Sequence, residues 1–142
     1  MDDLEASLRA DADRLTASVQ SLDLTVGTAR IGLRGDAVRL WETRDSRIEA
    51  NRIVGSRDMV VWYSGGNTIT GNEVAGGRYG THFMYSHDNL VTGNRYVGNV
   101  VGIFAMYSRG LTLERNLLAA STGAAGMGLG LKESSAVTVR DN

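Results

Sequence analysis

The chain has 142 residues, with 15 Lys plus Arg nearly balancing 16 Asp plus Glu, and it contains 18 Gly but no Pro and no Cys. That length allows one domain or a piece of a longer array, and the charge balance lacks the clustered basic face that a nucleic-acid partner demands. The missing cysteines remove disulfides and thiolate chemistry, while no apolar run is long enough to span a bilayer and no leader pattern opens the chain, although a signal could precede Met1.

In chain order, the first expected element is a helix or irregular start over residues 1–34. Leu4, Leu8, Ala12, Leu15, Val19 and Leu22 recur at spacings of three and four, the amphipathic-helix pattern. Asp2 and Asp3 put negative charge where the helix dipole favours it. Such a helix would cover the open end of the repeats C-terminal to it. The competing expectation is a degenerate repeat, because Ala12-Asp13-Arg14-Leu15 resembles Ala50-Asn51-Arg52-Ile53. Thr25 to Leu33 then reads as strand and leads through Arg34-Gly35-Asp36 into a clear repeat.

Residues 35–142 carry that repeat. Asn51, Asn72, Asn94, Asn116 and Asn142 each follow a Glu or Tyr by nine positions, and their spacings are 21, 22, 22 and 26. The leading pairs are Glu42-Thr43, Tyr63-Ser64, Tyr85-Ser86, Tyr107-Ser108 and Glu133-Ser134. A fixed period of this length marks a solenoid. Aligned on those pairs, Val38, Met59, Thr81, Ile103 and Leu129 form one column, and Leu40, Val61, Phe83, Ala105 and Leu131 form another two positions on. Further columns are Ile48/Ile69/Val91/Leu113/Val139 and Ile53/Val74/Tyr96/Leu118. Alternation by two within short β-branched runs predicts strands, and strands repeating every rung predict a right-handed parallel β-helix. Stacking buries the apolar columns as ladders that no single rung could bury alone. The asparagines are expected to stack at a turn as hydrogen-bonding scaffold. The chain stops on the last residue of a repeat with no cap pattern, which predicts a fragment of a longer solenoid.

Two columns should face outward: Arg39, Val60, His82, Phe104, Gly130, and Trp41, Trp62, Met84, Met106, Lys132. They are more apolar than a solvated face needs, which marks an interaction surface unless an absent segment covers them. Both histidines lie in Tyr79-Gly80-Thr81-His82-Phe83-Met84-Tyr85-Ser86-His87-Asp88. His82 and Met84 point the same way, and Met106 follows one rung later, about 4.8 Å along the stack. Imidazole and thioether suit copper, the thioether favouring Cu(I). His82, Met84 and Met106, with His87 as a fourth ligand from the following turn, are therefore the candidate metal site. Met127 is an outlying candidate. The plainer alternative is that these are packing or interface residues.

The runs RGDAVRLWETRDSRIEANRI, DMVVWYSGGNTITGN, RYGTHFMYSHDNLVTGN, VVGIFAMYSRG and GMGLGLKES resemble the periplasmic nitrous-oxide-reductase maturation proteins called NosD, over residues 34–142. That family belongs to the right-handed β-helix domains shared with carbohydrate-binding proteins and sugar hydrolases. The resemblance implies a periplasmic protein working beside an ABC transporter, an ATPase plus a permease, with a copper chaperone as donor and nitrous oxide reductase as recipient. It implies membrane contact only through the permease, and a docking platform that catalyses no covalent reaction. No copper ligand is carried over from the family. The rival is a polysaccharide lyase, epimerase or hydrolase on the same scaffold, which would need acids on the exposed face. The outer columns carry none, and Asp45, Asp58 and Asp88 fall in or beside turns, where Asp is favoured for backbone reasons. Sugar binding without catalysis, by Trp41 and Trp62, stays open, as does a purely structural β-helix.

Overall fold

A computed structural model describes residues 35–142 and, before them, two short strands at Asp23–Leu24 and Thr28–Ala29. The helix expected over 1–34 otherwise falls outside the described residues. Three parallel sheets run the length of the described chain. The first holds β1 (Asp23–Leu24), β4 (Arg47–Glu49), β7 (Thr68–Thr70), β10 (Leu90–Thr92), β13 (Thr112–Glu114) and β16 (Thr138–Arg140). The second holds β2 (Thr28–Ala29), β5 (Arg52–Val54), β8 (Glu73–Ala75), β11 (Arg95–Val97) and β14 (Leu117–Ala119). The third holds β3 (Val38–Trp41), β6 (Asp58–Trp62), β9 (Tyr79–Met84), β12 (Val101–Met106) and β15 (Met127–Lys132). Each strand pairs with its counterpart one rung away, which is the parallel β-helix the period predicts. β1 and β2 already pair in this manner with β4 and β5.

The apolar columns meet between the sheets. Ile48, Ile69, Val91 and Leu113 come from the first sheet, Ile53, Val74 and Tyr96 from the second, and Met59, Val61, Phe83 and Ile103 from the third. Register pairs such as Ile48 with Ile69 and Val91 with Leu113 make the columns continuous. The 26-residue step at the last rung places its extra residues in the loop 120–126, between β14 and β15.

Polar ladders run at the corners. Asn72 Nδ2 donates to Asn94 Oδ1 at 2.9 Å, and the same Oδ1 accepts the Asn72 backbone N–H at 2.9 Å. This pattern extends from Asn51 to Asn142, so the asparagine column is scaffold. A second ladder joins Ser46, Asn67 and Asn89, and a third joins Thr43, Ser64, Ser86, Ser108 and Ser134 through backbone N–H to hydroxyl bonds. The hydroxyl ladder pins a sharp corner. Tyr63, Tyr85 and Tyr107, one residue before its serines, have φ of 51°, 48° and 51°, a left-handed conformation that bulky residues rarely adopt. Their rings stack along the axis at 5.4 and 4.9 Å.

One irregularity positions the candidate site. The register between β6 and β9 shifts between Asp58 and Val60, so that Asp58 pairs with Tyr79 but Val60 pairs with His82. The separation thus grows from 21 to 22 residues, and β9 carries one extra residue. A bulge of this kind bends a strand and re-aims its side chains. Gly80 sits in it. A Cβ there would collide with the Gly102 carbonyl oxygen and the Tyr96 ring, so the inward corner admits only glycine while Tyr96 fills the core.

Candidate metal centre

His82 leaves β9 on the outer side of the third sheet, as strand alternation requires. It is nevertheless buried, at 4% exposure, and Val60 beside it in register is fully buried. The expectation that both outward columns form an exposed face therefore needs correcting. Large neighbours roof the sheet. The His82 ring meets Trp62 edge-on at 5.6 Å, Tyr79 edge-on at 5.0 Å and Phe104 in a stack at 5.9 Å. Trp62, Met84, Phe104 and Met106 are half-buried, whereas Trp41 is 51% exposed.

Within this cover, His82 Nε2 lies 3.3 Å from Met106 Sδ. Two ligands of one tetrahedral ion, at bond lengths of about 2.0 Å to nitrogen and 2.3 Å to sulfur as for zinc, stand about 3.5 Å apart. The pair thus stands close to the spacing of two ligands of one ion, which is also the spacing of an N–H···S hydrogen bond. No group of three His, Cys, Asp or Glu suited to a metal occurs among the described residues, so a centre here draws on thioether sulfur. Met84 is the register partner of Met106 and flanks it on the same outer face.

His87 goes elsewhere. Its Nδ1 accepts the Arg109 backbone N–H at 3.0 Å, and it lines an open groove of about 590 Å³ with Arg44, Asp45, Tyr63, Tyr85 and Asp88. The groove follows the turns between the third and first sheets, while His82 and Met106 belong to the strands. Met127 is exposed and lays its sulfur over Gly130, beside the Phe104 ring.

Asp58 and Arg78 adjoin His82, and neither stands out as a site residue in the sequence. Asp58 opens β6 at only 1% exposure, and Arg78 clamps it with two hydrogen bonds, Nε to Oδ1 at 3.0 Å and Nη2 to Oδ2. The Tyr79 backbone N–H adds a third at 3.2 Å. Burial alone would push the Asp58 carboxyl up, but the His82 imidazole and the Arg78 guanidinium beside it outweigh that and bring it down to about 2. His82 Nδ1 lies 3.8 Å from Asp58 Oδ2, too long for a hydrogen bond, and is left without a partner, as is Trp62 Nε1. The spacing 21 then 22 within one strand pair was the only sequence signal for this diagonal contact.

A family model described as "Periplasmic copper-binding protein (NosD)" matches residues 16–142. No curated protein and no solved structure matches the chain.

Proposed function

The chain belongs to the NosD family of periplasmic copper-binding proteins, and from that premise we propose that it handles copper during maturation of the copper sites of nitrous oxide reductase. The observation that carries the proposal is the approach of His82 Nε2 to Met106 Sδ, 3.3 Å apart under an aromatic roof. Imidazole and thioether are neutral donors that suit Cu(I), and Met84 stands next in the same column as a further thioether. Copper is cargo here, taken up and released, and no covalent reaction is assigned to the protein. The proposed partners are a copper chaperone as donor, the reductase as recipient, and an ABC transporter of ATPase and permease through which alone the protein meets the membrane. The apolar rim of Trp41, Met84 and Phe104 is a docking surface of the kind such exchange requires.

The carbohydrate alternative has less support. A sugar ring needs an open aromatic face, and the tyrosine ladder covers its own, with interplanar angles of 8° and 11°. Arg39 lies 5.4 Å over the Trp62 ring, leaving Trp41 as the exposed indole.

A competition titration with a chromophoric Cu(I) chelator tests the proposal. One equivalent bound by the wild type and lost in the His82→Ala, Met106→Leu double variant is the expected result. Stoichiometric binding that survives both substitutions would displace the site, and no binding by the wild type would leave docking alone.

A further inference from the structure

We propose that Asp58, held by Arg78, is the positioning residue of this centre: it fixes His82 as the Nδ1-protonated tautomer, so that Nε2 turns a bare lone pair toward Met106 Sδ. This rests on the copper-binding reading above. His82 and Asp58 are both buried, with side chains 5% and 1% exposed, so water does not dilute what each ring nitrogen faces. Nδ1 faces the carboxylate at 3.8 Å. With the proton on Nε2, an Nδ1 lone pair would point at that anion. With the proton on Nδ1, the N–H dipole points at it and the contact becomes attractive.

The consequence appears on the other side of the ring. With Nε2 unprotonated, its contact with Met106 Sδ at 3.3 Å gives up the N–H···S hydrogen bond that the opposite tautomer would make, and leaves a nitrogen lone pair against sulfur with no hydrogen between them. Such a contact is unfavourable when empty and favourable once a soft cation sits between the two atoms. Arg78 matters because its guanidinium offsets the carboxylate charge, so the centre offers a cation neutral donors. Neutral nitrogen and sulfur donors favour Cu(I) over harder divalent ions. Metal-binding histidines commonly hold their second N–H on a carboxylate, and loss of that partner lowers metal affinity by roughly 10–100-fold; the 3.8 Å contact with Asp58 is longer than a hydrogen bond and belongs at the low end of that range. The bulge at Gly80 brings His82 into this diagonal relation with Asp58, one rung and two positions away.

Nitrogen-15 NMR of the histidine rings in the metal-free wild-type chain reads the tautomer directly. The expected spectrum has His82 Nδ1 protonated and Nε2 pyridine-like. Asp58→Asn should erode that preference and weaken Cu(I) binding by roughly 10-fold, with the His87 signals unmoved. An Nε2-protonated His82 in the wild type overturns the proposal, and that spectrum needs no variant should Asp58→Asn fail to fold. A variant that keeps the wild-type tautomer, or one that loses it without losing affinity, overturns it too. A wild type that shows the expected tautomer yet binds no Cu(I) sinks the copper reading and the metal role with it, while Asp58 still orients the ring.

Discussion

Asp58 remains ionised in a place where burial alone would keep it neutral. Its carboxyl stands at about 2, below its ordinary 3.8. A depressed value in the folded state contributes stability that is present above the unfolded value and is lost as pH falls through the folded one. The window is therefore pH 4 down to 2, and the full contribution is no more than about 2 kcal/mol at neutral pH. Urea denaturation of the wild type and Asp58→Asn at pH 6, 3 and 2 should show a gap that narrows toward the lowest pH. A gap of constant size would mean that packing, and not charge, holds the residue. The sequence displayed His82 and Met106 because they keep the strand period. It concealed Asp58 because the contact depends on one extra residue in β9, and because an Asp after Arg57 at the end of a turn looks like ordinary turn chemistry.

At the scale of the element, the corner ladders convert a side-chain period into a backbone constraint. Asn94 shows how. Its Oδ1 accepts the Asn72 backbone N–H and side-chain amide, and its Nδ2 donates to the Ile69 carbonyl at 2.9 Å and to Asn116 Oδ1 at 3.0 Å. Asn142 offers the same acceptor to Asn116 but is exposed to water. Asn94→Ala strands at least the buried Asn72 N–H, which costs about 1–3 kcal/mol before any cavity is counted. Asn142→Ala lets water replace the lost acceptor and should cost less than about 1 kcal/mol. Urea midpoints of the two variants check this, and equal shifts would show that burial is not the source. The main asparagine column was plain in the sequence because it recurs in every repeat. The ladder through Ser46, Asn67 and Asn89 was not, since it opens on a serine and one rung after Asn89 the same position holds buried, apolar Leu111. Outwardness was legible in the same way, from alternation. Exposure was not, because Trp62, Tyr79 and Phe104 roof His82 from neighbouring positions that only the folded register brings together.

For the molecule as a whole, each rung has only its two neighbours to lean on, so stability should be graded along the axis. One hydrogen bond recurs in every rung and makes this measurable. The backbone N–H of Thr68, Leu90, Thr112 and Thr138 donates to the preceding rung at 2.8, 2.9, 3.0 and 2.8 Å. Local geometry is thus nearly constant, and any difference in exchange rate must come from the surroundings. Those differ sharply. Val91 and Leu113 are buried, whereas Val139 in the same column is 47% exposed. Leaving a valine half in water forfeits on the order of 1 kcal/mol, and the exposed Leu131 on the same rung forfeits a similar amount. Together they amount to about 2 kcal/mol, or roughly 30-fold in opening equilibrium. Amide hydrogen exchange should therefore be slowest at Leu90 and faster by roughly that factor at Thr138, with Thr112 between them. Uniform protection across these amides would mean that the rungs open as one cooperative block. In that case the sheet carrying His82 and Met106 could not loosen in one rung while the rest stays closed.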